Sequence, residues 1–270
     1  MRKLSIVVCL LCLFVTVPAL ADPMVGNGPG YDGGQVHWDR VSDYYQGRGG
    51  EFTIYSDTSW GSRGLLLSNS AYDLDTKGQD GNLESFQTFC LEAGEFVNQP
   101  MNIWVSESST TISYVYGSGS HAWWGGVAGV GDDLDYETAW LYTQFATGNL
   151  FGYDFDSSGG YASLTRAQTG SALQRLIWNI EGEDGGIGVA SGSSFMDVTL
   201  TGDQAKLIGE WQTLFDRSGW SGIGNVRVLQ MKTTCDGRAQ DQLFLVPVPG
   251  AILLGMIGLS AAGLKLRRFA

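Results

Sequence analysis

Short runs of β-branched and aromatic residues recur through the first half of the chain. Glycine, asparagine and serine separate them, a pattern that is typical of strands joined by turns. The runs read EFTIY from Glu51, GLLLS from Gly64, SFQTFCLE from Ser85, NIWVSE from Asn102 and TTISYVY from Thr110. Two more, NVRVLQMK from Asn225 and DQLFLV from Asp241, predict strands near the end of the chain.

Between these two groups the hydrophobic period changes from two residues to three or four, which predicts helices. We expect one over residues 133–150, with Asp135 as its N-cap and Gly148 at its end. A second is expected over 164–181, and a third after Thr201 and before Gly219. The order of strands, helices and strands favours an α+β fold: an antiparallel sheet or barrel-like core with a helical insertion of about three helices.

Both ends of the chain differ from the part between them. Residues 1–21 combine a basic start, a short apolar stretch and a small-residue exit, and this predicts a secretory signal peptide for the Sec pathway. The mature domain is then expected to span 22–246. Its first part, 22–50, is rich in glycine and turn residues, which favours a loop-dominated N-terminal wrap.

The C-terminal stretch VPVPGAILLGMIGLSAAGLKLRRFA joins a proline-rich motif, an apolar run and a basic end. Such a run followed by basic residues is just long enough to cross a bilayer as a transmembrane segment and stop there, with its basic end inside. The motif is Val246, Pro247 and Pro249, and the basic end contains Arg267 and Arg268. These three ordered parts resemble the PEP-CTERM sorting signal of Gram-negative exosortase substrates. The resemblance implies that 247–270 is a sorting tail, held transiently in the inner membrane and processed by an exosortase before the protein reaches the outer envelope or the exterior.

The charge and the cysteines of the expected mature domain narrow its class. Without the two ends, 11 basic residues remain against 28 acidic ones, a net charge of −17. Nucleic-acid binding needs a basic surface, so we exclude nucleic acid as a partner. Of four cysteines, only Cys90 and Cys235 remain, and in an oxidising compartment the simplest prediction is a disulfide between them.

The sequence offers little support for a hydrolase or a metal enzyme. The chain has two histidines, His37 and His121, and lacks the usual serine-hydrolase and zinc-protease motifs. Asp154 and Asp156, in DFDSSGG, are a weak candidate for calcium, because Thr165 stands where a calcium-binding loop of the EF-hand type has its glutamate. An acidic turn is the preferred interpretation. We therefore expect neither a turnover enzyme nor a cofactor.

Three further motifs appear in a fixed order along the chain: FCLE at 89–92, TQFA at 143–146 and LQRLIW at 173–178. Together they resemble the motifs of thioester domains, which lie at the tips of bacterial surface adhesins. The resemblance spans about residues 85–182. In that family a cysteine thiol is joined to a glutamine side chain as an internal thioester, and a nucleophile on the target surface opens it.

Carried over by motif, the resemblance makes Cys90 the thiol and Gln174 the acyl donor. Gln144 becomes a supporting residue or the alternative donor, while Trp178 and Phe89 are expected to keep water away. The implied partner is an amine or hydroxyl of a host, a neighbouring cell or a polysaccharide matrix. The alternative is a structural envelope or biofilm-matrix protein stapled by a Cys90–Cys235 disulfide, and a secreted carbohydrate-active enzyme is the third class.

Overall fold

The computed structural model describes residues 34–40, 42–55, 85–93, 102–109, 111–112, 132–233 and 239–245. Several predictions fall outside these ranges: the signal peptide, the sorting tail, the strand at GLLLS, His121 and Cys235. The described strands, in chain order, are β1 (Gly34–Asp39), β2 (Tyr45–Gln46), β3 (Gly49–Gly50), β4 (Phe52–Tyr55), β5 (Ser85–Thr88), β6 (Asn102–Ser109), β7 (Thr111–Ile112), β8 (Asp132–Asp133), β9 (Ser194–Phe195), β10 (Val198–Thr199), β11 (Val226–Thr233) and β12 (Gln242–Leu245).

Six of these strands form one antiparallel sheet in the order β12-β11-β6-β1-β4-β5. The remaining strands pair as three two-stranded sheets, β2 with β3, β7 with β8 and β9 with β10. The α+β class is therefore confirmed. Strands were predicted at the positions of β4, β5, β6, β7, β11 and β12, and each is present.

The predicted loop-dominated N-terminal wrap is wrong for its described part. Residues Gly34–Asp39 form β1, which lies inside the large sheet and pairs with β4 on one side and β6 on the other. Residues Tyr45–Gly50 form the β2–β3 hairpin. Both neighbours of β1 supply backbone partners, and this tertiary pairing outweighs the turn-like composition of the segment.

The barrel-like core is a second correction. The two outer strands of the sheet, β5 and β12, are joined beyond the end of β5 by one isolated bridge between Cys90 and Gln242. One bridge is not a ladder of paired strands, so the described strands form open sheets and no barrel.

Three α-helices lie between β8 and β11, as predicted: α1 (Tyr136–Ala146), α2 (Arg166–Ile180) and α3 (Gly202–Ser218). Asp135 caps α1, its side chain accepting from the Glu137 N–H, also as predicted. The helices α2 and α3 each begin with a reciprocal capping box, Thr165 with Gln168 and Thr201 with Gln204. No helix in the described part of the chain is long and apolar enough to cross a membrane.

Helix α2 is the most deeply buried of the three, and it lies against the β2–β3 hairpin and α3. Its first residue, Arg166, forms a two-pronged ion pair with Glu51, and both side chains are about 1 % exposed. Tyr153 donates a hydrogen bond to the same carboxylate. This buried, hydrogen-bonded ion pair fixes the first residue of α2 against Glu51, the residue that precedes β4.

Candidate functional site

The segment after β5 carries Cys90 into the interior of the protein. Leu91 N–H donates to the Asp241 carbonyl at 3.0 Å, and Leu243 N–H donates to the Phe89 carbonyl at 3.2 Å. These two bonds flank the Cys90–Gln242 bridge and align the segment with the start of β12. Cys90 is fully buried and carries a free thiol.

The side chain of Gln174, in the middle of α2, is hydrogen-bonded to both backbone polar groups of Cys90. Its Oε1 accepts from the Cys90 N–H at 3.0 Å, and its Nε2 donates to the Cys90 carbonyl at 2.7 Å. The two residues are 84 positions apart in the chain, and neither is exposed to solvent. The structure thus brings together the proposed thiol residue and the proposed acyl donor, and hydrogen-bonds the donor's carbonyl oxygen to an N–H group.

Two further glutamines contact the sulfur itself. The Cys90 thiol donates to Gln240 Oε1, with Sγ and Oε1 2.7 Å apart. Gln242 Nε2 donates to Sγ at 3.3 Å. Gln240 Nε2 in turn donates a hydrogen bond to the Glu92 carbonyl. The sulfur therefore lies between one amide acceptor and one amide donor, both buried.

The electrostatic setting keeps this thiol protonated. Burial raises the pKa of the Cys90 thiol well above its ordinary value, and the charge of Glu92 adds to the rise. The hydrogen bond from Gln242 and the charge of Arg40 act in the opposite direction without cancelling the rise. Cys90 is consequently a neutral S–H donor at neutral pH, rather than a preformed thiolate.

The β2–β3 hairpin covers the Gln174 side of the site. A Cβ on Gly49 would lie 3.1 Å from Gln174 Cγ, 3.3 Å from Val198 Cγ2 and 3.4 Å from Trp178 Cζ3, so a larger residue would have to push a neighbour aside by a few tenths of an ångström. Arg40 holds the hairpin by donating to the carbonyls of Gly47 and Gly49 at 3.1 and 2.8 Å. The hairpin therefore packs closely against Gln174 and Trp178, and both of these side chains are buried.

The other predicted site residues have different surroundings. Phe89 is fully buried and makes an edge contact with Phe145, their ring centroids 4.9 Å apart. Gln144 is half-buried, and its backbone carbonyl accepts from Asn149 N–H at 2.7 Å. Its side chain has no hydrogen bond to Cys90 or Gln174.

The two aspartates of the calcium candidate hold the turn that contains them. Asp154 Oδ1 accepts from Gly159 N–H at 3.0 Å, and Asp156 Oδ1 accepts from Ser158 N–H at 3.1 Å. Across the residues that the structure describes, no three histidine, cysteine or acidic side chains are grouped as metal ligands.

Sequence reasoning missed Gln240 and Gln242. A sequence signal for them exists, because residues two apart in an extended segment lie on the same face. In the run QDQLFL, Gln242 is the first residue of β12 and Gln240 lies two positions before it. Neither residue belongs to one of the three motifs.

The arrangement joins the side chain of Gln174 to the backbone of the residue that carries a buried thiol, and it can also serve as a hydrogen-bonded structural core. Comparison with protein-family models, with curated proteins and with solved structures found no match to this chain.

Proposed function

We propose that this protein is an exported covalent adhesin of the cell envelope or extracellular matrix, which uses an internal thioester between Cys90 Sγ and the side-chain carbonyl carbon of Gln174. The proposal includes export by the N-terminal signal peptide and sorting by an exosortase through the tail at 247–270.

The observation that carries this proposal is the hydrogen bond from Cys90 N–H to Gln174 Oε1. Sγ belongs to the same residue as that N–H and is only three bonds away from its nitrogen. An N–H on the carbonyl oxygen stabilises the negative charge that develops there when a sulfur attacks the carbonyl carbon. The backbone N–H of Cys90 can thus stabilise the oxyanion that forms when the Cys90 thiol attacks the Gln174 carbonyl carbon.

The bond-forming step balances without a co-reactant. Sγ bonds to the Gln174 carbonyl carbon, the bond from that carbon to Nε2 breaks, and the thiol proton leaves with the nitrogen as ammonia. A primary amide is a poor acyl donor, so the fold must hold both groups in place, as a strand and a helix can. Complete burial of both residues protects the product from hydrolysis.

In the second step a surface nucleophile opens the thioester. An amine or hydroxyl of a host, a neighbouring cell or a polysaccharide matrix would bond to the Gln174 carbonyl carbon and release the Cys90 thiol. The protein would remain attached to its target by an amide or ester. This event happens once per molecule, so the protein acts as an adhesin and not as a turnover enzyme.

One observation favours a second candidate, a non-catalytic structural protein of the envelope or biofilm matrix. Both polar ends of the Gln174 amide are satisfied by the backbone of Cys90, which is also the behaviour of a purely structural buried glutamine. In this candidate a Cys90–Cys235 disulfide would staple the domain.

Intact mass separates the two candidates. A thioester lowers the mass by one ammonia, about 17 Da, whereas a disulfide lowers it by two hydrogens, about 2 Da. We expect the 17 Da deficit in a Cys235→Ser chain and its disappearance in Cys90→Ser and Gln174→Leu chains. Methylamine should also remove it. A Cys235→Ser chain at its unmodified mass would refute the thioester.

A further inference from the structure

The sulfur of Cys90 has an amide neighbour that the thioester bond itself does not use. Gln242 Nε2 donates to Sγ at 3.3 Å and also to the Gln240 carbonyl at 3.3 Å. The side chain is fully buried. Because an N–H donor interacts more strongly with a charged acceptor than with a neutral one, this contact strengthens as charge builds on the sulfur.

The other end of the same amide is unsatisfied. Gln242 Oε1 is buried and has no hydrogen-bond partner among the described residues. Buried polar atoms in folded proteins are nearly always paired, so an unpaired acceptor requires an explanation. This one belongs to the amide that contacts the reactive sulfur, and an incoming N–H donor would satisfy it.

We propose that Gln242 is a catalytic residue for opening the thioester by a primary amine: its N–H stabilises the departing sulfur, and its Oε1 accepts an N–H of the attacking amine. This inference rests on the thioester proposed above. It narrows the target chemistry to primary amines such as the lysine side chain, which keep a second N–H for Gln242 while the nitrogen attacks.

The proposed step is balanced. The amine nitrogen bonds to the Gln174 carbonyl carbon, and the bond from that carbon to Sγ breaks with its electron pair moving to sulfur. The proton that the amine loses ends on Sγ. The restored thiol then donates to Gln240 Oε1, which is the arrangement in the structure.

The sulfur needs such assistance to leave. Burial raises the pKa of the Cys90 thiol, and the nearby Glu92 carboxylate raises it further, so the sulfur is a poor leaving group. The hydrogen bond from Gln242 and the charge of Arg40 counteract this effect. Of the Gln242 amide and the Arg40 guanidinium, only the amide also carries an oxygen that can accept a hydrogen bond from the attacking amine.

The test compares two nucleophiles on the exported protein carrying Cys235→Ser. Disappearance of the 17 Da deficit is timed by intact mass after addition of methylamine or of 2-mercaptoethanol. We expect Gln242→Met to slow opening by methylamine about thirtyfold, the effect of about two lost hydrogen bonds, one to the departing sulfur and one from the amine. Opening by the thiol should slow less, because an attacking thiolate has no N–H to donate.

The matched control is Gln204→Met, which replaces an equally buried glutamine in the capping box of α3. Its opening rates should stay unchanged. Equal slowing of both nucleophiles by Gln242→Met would overturn the acceptor role of Oε1, and unchanged rates would overturn the whole inference. A parent chain without the 17 Da deficit would instead refute the proposed function.

A second measurement applies even where Gln242→Met forms no thioester. In a Gln174→Leu chain Cys90 stays a thiol, and its S–H stretching band in the Raman spectrum reports hydrogen bonding at the sulfur. A difference spectrum against Cys90→Ser isolates that band. Adding Gln242→Met should shift the band, and an unshifted band would overturn the contact on which the inference depends.

Discussion

The side-chain amide of Gln174 is hydrogen-bonded to both backbone polar groups of Cys90: its Oε1 accepts from the N–H at 3.0 Å, and its Nε2 donates to the carbonyl at 2.7 Å. The contact joins helix α2 to the segment that follows β5. Cys90 is thereby held by a helix on one side and by Gln242 of β12 on the other. Every part of the proposed chemistry depends on this position.

Replacing Gln174 by leucine should destabilise the fold as well as remove the thioester. The substitution deletes two buried hydrogen bonds and leaves the N–H and carbonyl of Cys90 unsatisfied, and we expect a cost of about 2–4 kcal/mol in the free energy of unfolding. Urea denaturation measures it. Gln144→Leu is the control, because that half-buried side chain has no such contacts and should change stability by less than about 0.5 kcal/mol. If Gln144→Leu removes the 17 Da deficit and Gln174→Leu retains it, Gln144 is the donor.

The buried ion pair between Arg166 and Glu51 should be costly to break. Arg166→Met leaves the Glu51 carboxylate and the Tyr153 hydroxyl in the interior without their cation, which we expect to cost about 3–5 kcal/mol. Thermal and urea unfolding measure the loss. Lys206→Met is the matched control: its pair with Asp203 is exposed, so little change is expected. Equal effects of the two substitutions would contradict the structural role of the buried pair.

Glu137 should make the fold less stable as the pH rises. Burial raises the pKa of this carboxyl to about 7, and the charges of Asp135 and Asp216 contribute. Since the folded state then binds a proton more tightly than the unfolded state, the free energy of unfolding falls between about pH 4.5 and pH 7 and stays low above that range.

Glu137→Gln removes this dependence, so we expect it to raise the melting temperature at pH 8 and to change it little at pH 4. The carboxyl is only half-buried, which limits the gain to about 1 kcal/mol or less. Glu210→Gln, at an exposed position of α3, is the control and should change the melting temperature little, as substitutions at exposed positions usually do. A melting temperature of Glu137→Gln that parallels the parent chain from pH 4 to pH 8 would refute the prediction.

The close approach of the β2–β3 hairpin to the site predicts opposite effects of two glycine-to-alanine changes. Gly49→Ala places a methyl group 3.1 Å from Gln174 Cγ, so either the hairpin or Gln174 must shift; we expect lower stability and a smaller fraction of chains with the 17 Da deficit. Gly209→Ala, in α3, meets nothing within 4 Å and should stabilise the protein by about 1 kcal/mol. Calorimetry measures the stability of both variants, and intact mass measures the fraction of chains with the deficit. A full deficit in Gly49→Ala would show that the hairpin does not constrain the donor.

The sequence alone identified the three helices and half of the described strands. Helix signals are local: Asp135, Thr165 and Thr201 are caps that act within one turn, and the hydrophobic period that follows them is visible in about twelve residues. Strands could also be predicted, because turn residues separate the runs of β-branched and aromatic residues. From the motif order, the sequence also led to Cys90 and Gln174 as a candidate pair.

What local sequence could not decide is which distant segments meet. Gly34–Asp39 looks like a turn-rich segment and becomes an inner strand because β4 and β6 lie on either side of it. Gln240 and Gln242 lie about 150 residues from Cys90 in the chain and reach its sulfur only through the bridge that joins β12 to the segment after β5. Helices form from contacts within a few residues, whereas sheet pairing and the surroundings of a buried sulfur depend on contacts between remote parts of the chain. The sequence by itself therefore determined the three helices, half of the described strands and one candidate pair, and only the tertiary structure decided the other strands, the sheet order and the amide groups that surround Cys90.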